Sequence, residues 1–91
     1  MRIEQSLSAI GDRLAKARAD LKIVEEQLLF QMDVVEEAEN RAVVAETPLA
    51  DRAHQEAQAD LRRLERQRRQ VEAEITELRQ EQDKLLDRML G

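Results

Sequence analysis

VVAETPLADRAHQ, residues 43–55, holds the only proline of the chain, Pro48, close to its middle. On either side the sequence reads as helix for about forty residues. A proline inside a continuous helix costs about 3 kcal/mol, because it removes one backbone hydrogen bond and crowds the preceding turn. At the first position of a helix it costs nothing, since that N–H has no partner there. Thr47 carries the side-chain oxygen an N-cap needs, and the proline after it pushes it towards extended backbone. The stretch therefore reads as a turn made by Glu46, Thr47 and Pro48. The expected organisation is a single domain over 1–91: one helix over about 3–45, a turn over about 45–47, and a second helix over about 48–90. No glycine follows the first helix to cap its C-terminal end.

Hydrophobic spacing supports the fold-back. With Leu7 as heptad position a, the first seam is Ile3, Leu7, Ile10, Leu14, Ala17, Leu21, Val24, Leu28, Gln31, Val35, Ala38 and Ala42. The second is Ala50, His54, Ala57, Leu61, Leu64, Arg68, Val71, Ile75, Leu78, Gln82, Leu85 and Met89. Both alternate steps of four and three without a slip, the signature of coiled-coil helices. In an antiparallel pair, residue numbers that share a layer sum to a constant. Ile3 with Met89, Leu14 with Leu78, Leu28 with Leu64 and Ala42 with Ala50 all sum to 92, and the axis falls at Glu46, inside the turn. The fold class is all-α: an antiparallel two-helix coiled-coil hairpin.

Composition fits a linear seam better than a globular core. There is one aromatic residue, Phe30, and 38% of residues are charged. The absence of cysteine rules out disulfides and thiolate chemistry and suits a reducing cytoplasm. MRIEQSLSAIGDRL at the start has no apolar segment of the secretory type, and no stretch approaches the ~20 apolar residues of a membrane span. Cytoplasmic location is the expectation. Twelve arginines against three lysines point to a GC-rich bacterial genome. A net charge of −5 argues against general affinity for nucleic acid or anionic membrane.

Four seam positions are polar: Gln31, His54, Arg68 and Gln82. His54, Arg68 and Gln82 recur every fourteen residues, about 21 Å apart along a helix, too far to share one ion. They read as residues that penalise slipped registers, with Arg68 extending its charge past Val24 to water. RRLERQRR, residues 62–69, suggests nucleic acid by itself, but no aromatic residues interleave it to stack on bases. The layers set it beside Glu25 and Glu26, in a stretch over 25–46 that carries seven acids and one arginine. Cross-helix pairing is expected there, with Glu65 supporting Arg69 within the helix. Glu39, Glu46 and Asp51 make the turn mildly acidic and read as a solvated helix end.

No nucleophile–base pair, metal-ligand cluster or glycine-rich loop appears. Ser6 and Ser8 lack a nearby histidine, and His54 lacks a nucleophile within a turn. No catalytic, cofactor or metal residue is assigned, and no small-molecule substrate is expected. The expected role is a non-catalytic interaction module, acting as a scaffold, adaptor or regulator towards a protein partner. In outline the chain also resembles the coiled-coil domain of Gre-type transcript cleavage factors, long hairpins with acids at the tip. That resemblance implies a regulator inserting its tip into an RNA polymerase channel. It rests on architecture and the carboxylates near Thr47; AETPLADRAH stands where that family has an acidic Gly-Asp-Leu and Glu-Asn signature. A prefoldin-like holdase would need strands, and no segment alternates with period two.

IVEEQLLFQMDVV, residues 23–35, carries eight strongly apolar residues, yet the seam uses only Val24, Leu28 and Val35 of them. At 100° per residue Ile23, Phe30 and Val34 fall within about 40° of one another, away from the seam. Leu29 and Met32 are read as widening that surface. A helix apolar on two faces has to be covered on both. Ile23, Leu29, Phe30, Met32 and Val34 are therefore the candidate interface. The expectation is a homodimer of hairpins, a four-helix bundle centred near Phe30 with the first helix inside.

Overall fold

The computed structural model describes residues 2–91. Two helices account for nearly all of them: α1 over Arg2–Ala45 and α2 over Pro48–Leu90. Two residues separate them, and each solves one end. Glu46 takes a left-handed backbone, φ 51°, and its N–H donates to the carbonyl of Ala42 at 3.1 Å, which closes the last turn of α1. Glutamate performs a task usually given to glycine, at a steric cost of about 1 kcal/mol. Thr47 then caps α2: its Oγ1 accepts the N–H of Ala50 at 3.2 Å, and its carbonyl accepts the N–H of Asp51 at 3.1 Å. Pro48 opens α2 at the position where it forfeits no bond.

The helices form two compact units. The first joins the residues up to Lys22 with Arg69–Gly91 and the second is Ile23–Arg68. In the first, Ile10, Leu14, Ala17 and Leu78 form a buried cluster, with Ile75 and Leu85 packed against it. Leu14 with Leu78 and Ala17 with Ile75 are the pairs that the constant of 92 puts in one layer. Burying a leucine as completely as Leu78 stabilises the fold by about 2 kcal/mol before entropy is counted. In the second unit Val24, Leu28, Ala57 and Leu64 are buried. All eight buried residues occupy seam positions, and every other seam residue except Met89 is half-buried. Met89 lies one residue from the end of α2 and stays exposed. The result is an all-helical, two-helix hairpin arrangement of the coiled-coil kind, and among the described residues no helix is long and apolar enough to cross a membrane.

The charged surface is organised within helices. Lys16 donates to Asp20 at 2.8 Å, one turn along α1. That hydrogen bond, and then the Asp20 charge, raise the Lys16 pKa above its ordinary value. Arg63 pairs with Asp60 at 3.8 Å on its own helix, rather than across to Glu25 or Glu26. Arg62, Arg66 and Arg69 stand exposed without an ion pair. Among the described residues no ion pair joins Arg62, Arg63, Arg66 or Arg69 to Glu25 or Glu26, the cross-helix pairing expected from the sequence. These arginines sit on the outer positions of the heptad, where holding two long side chains together costs as much entropy as the pair returns in water.

Candidate interaction surface

The second unit leaves large apolar side chains in water. Ile23, Leu29, Phe30, Met32, Val43, Val44 and Leu49 are all exposed there; among the described residues the first unit exposes only Met89 and Leu90. Scattered apolar side chains on a surface are ordinary, but a concentration in one unit points to a contact.

Of the five candidate residues, two share a groove. Ile23 and Phe30 line a groove of about 650 Å³ together with Glu26, Gln27 and Gln31 of α1 and Arg63, Leu64 and Gln67 of α2. Phe30 is 71% exposed at its edge. Neither Leu29 nor Met32 lines this groove. Met32 is two residues past Phe30, so it points about 160° away from it around the helix, and Leu29 points about 100° away. These two, with Val43, belong to the other flank of α1. Val34 falls on the Phe30 flank but is half-buried. The groove also draws Arg63 and Gln67 from α2, so the second helix shares this surface instead of standing behind it.

The polar seam residues behave differently from one another. Gln31 Nε2 donates to the carbonyl of Ala57 at 3.0 Å and so ties the two helices beneath the groove. The Nε2 of His54 is buried without a hydrogen-bond partner. Arg68 and Gln82 are half-buried, as befits long side chains passing from the seam towards water.

At the turn, Glu46, Thr47 and Pro48 are exposed, as are Glu39 and Asp51. Among the described residues no group of three or more histidines and acids is placed to hold a metal ion. What the turn does carry is a second groove, about 610 Å³, lined by Val44, Ala45, Leu49, Ala50 and Ala53 with Asn40, Arg41 and Thr47. Val44 is 85% and Leu49 78% exposed. The sequence reading treated this end as acidic and passed over its apolar residues. The available signal was that Val43, Val44 and Leu49 fall outside both seams. No protein-family model, curated protein or solved structure matches the chain.

Proposed function

We propose that the chain is a non-catalytic coiled-coil module that self-associates through the flank bearing Phe30 and offers its other flank to a different protein, as a scaffold, adaptor or regulator. The observation that carries this reading is Phe30: the only aromatic residue of the chain stands in water at the edge of a groove that Ile23 also lines. Covering a phenylalanine is worth about 2 kcal/mol, and aromatic residues are typical anchors at the centre of contacts. A second copy is the simplest cover, giving a closed four-helix bundle. Leu29, Met32 and Val43, exposed on the opposite flank, then remain for a partner of another kind.

Light scattering tests both assignments. Phe30→Asp places an unpaired charge in the contact and should weaken the dimer by roughly a hundredfold or more. Circular dichroism should show helicity retained, because Phe30 lies outside the seam. Leu29→Asp should leave the dimer intact. Equal loss of the dimer in both variants would sink the division into flanks, and an unchanged mass for Phe30→Asp would sink self-association through Phe30.

A further inference from the structure

The proposed self-association leaves its geometry open, and the charges around the grooves restrict it. In the Phe30 groove an acid of α1, Glu26, and a base of α2, Arg63, line the same apolar depression. Neither is well satisfied at home. Glu26 is exposed without an ion pair, and Arg63 reaches only Asp60, at 3.8 Å, with both side chains more than half exposed. The groove beside Val44 and Leu49 opens on the same flank of this unit, since Val44 repeats the heptad position of Ile23 and Phe30.

A two-fold contact must be complementary to itself. A surface with an acid on one helix and a base on the other meets that condition when α1 of each copy lies on α2 of the other. The alternative two-fold, α1 upon α1, would set Glu26, Asp33 and Glu37, the acids of the stretch over 25–46 within about 60° of Phe30 around α1, against their own copies, with Arg41 the one base among them. We propose that a second copy of this chain occupies the flank, related by a two-fold axis parallel to the helices, with both turns at one end and Glu26 of each copy facing Arg63 of the other. This rests on the self-association above and moves α1 from the interior of the dimer to a place beside the neighbouring α2.

Heights along the hairpin follow from the constant of 92. Glu26 stands level with residue 66 of the second copy, so Arg63 is three residues, about 4.5 Å, away along the axis and within an arginine's reach. The same operation sets Val44 level with Pro48 of the second copy, one residue from Leu49, so one contact covers both grooves. It also brings Glu37 opposite the second copy's Glu56, a like-charge meeting that this register has to tolerate.

The experiment uses full-length Glu26→Arg and Arg63→Glu chains, alone and in equal mixture, read by native mass spectrometry with light scattering. Each variant alone confronts like charges twice per dimer, so its dissociation constant should rise roughly tenfold or more. In the mixture both contacts become opposite-charge pairs, and heterodimer should dominate at concentrations where each variant alone is monomeric. Glu56→Gln should tighten the dimer. A wild-type chain that stays monomeric overturns this geometry together with the self-association on which it rests. A wild-type dimer whose two charge variants dimerise unchanged, or mix without preference for heterodimer, overturns the geometry alone.

Discussion

The two units use the same heptad for different ends. The first closes its seam with aliphatic layers around Leu14 and Leu78, with Gln82 its one polar position, and among the described residues leaves only Met89 and Leu90 of its large apolar residues in water. The second sets Gln31, His54 and Arg68 into the seam and spreads seven large apolar residues over its flanks. Each unit buries four seam residues, but the apolar surface proposed for recognition lies in the second. A sequence of this length has few bulky residues, and those placed outside the seam are withdrawn from intramolecular packing. The apolar side chains that give the second unit its surface contribute little to holding the hairpin shut.

The sharpest way to break this comparison is to truncate matching leucines. Leu78, 1% exposed, should lose about 3 kcal/mol on Leu78→Ala, whereas Leu64, 9% exposed in a seam that also holds Gln31, His54 and Arg68, should lose about 2 kcal/mol on Leu64→Ala. Urea denaturation measures both, and equal losses would show that the units are equally tight. His54→Leu works in the opposite sense: it removes a buried nitrogen without a partner and fills the layer facing Ala38, so stability should rise by about 1–2 kcal/mol. A loss instead would mean that the imidazole is satisfied by water and that this seam position is not a weak point. At the turn, Thr47→Ala deletes the cap on the Ala50 N–H and should lower stability by about 1 kcal/mol. The smallest effect expected is Glu46→Gly, a gain of about 0.5 kcal/mol from relief of the left-handed backbone, set against the freer unfolded chain. Thermal unfolding that puts Glu46→Gly below wild type would show that the glutamate side chain contributes something the backbone angle hides.

The seam was readable because its cause is local and periodic. Every buried residue sits where steps of three and four place it, and Pro48 after Thr47 marks the start of α2 by chemistry that does not depend on the rest of the fold. What stayed hidden depends on which flank a residue shares with the other helix. Ile23 and Phe30 could be grouped by angle alone, yet Arg63 and Gln67 join them only because α2 lies alongside. Met32 was read as widening the surface of Ile23 and Phe30, while the same angular rule sets it about 160° from Phe30. Glu46 gave no warning of its conformation, since glutamate is not a residue that announces a left-handed cap. The arginines over 62–69 and the acids of α1 were read as partners from proximity in layers, but outward-pointing positions leave water as the better partner.

The short turn has a kinetic consequence. Contacts near Glu46, such as Gln31 with Ala57, close small loops and demand little chain entropy, whereas the layer of Leu14 and Leu78 must gather residues from nearly opposite ends of the sequence. Folding should therefore begin at the turn, among alanine layers that bury little, and finish at the aliphatic cluster that buries most. Stopped-flow measurements should find Thr47→Ala slowing folding and Leu78→Ala chiefly accelerating unfolding. The residues that start the hairpin are then not those that keep it closed, and how long a closed hairpin lasts is set by the end farther from its turn.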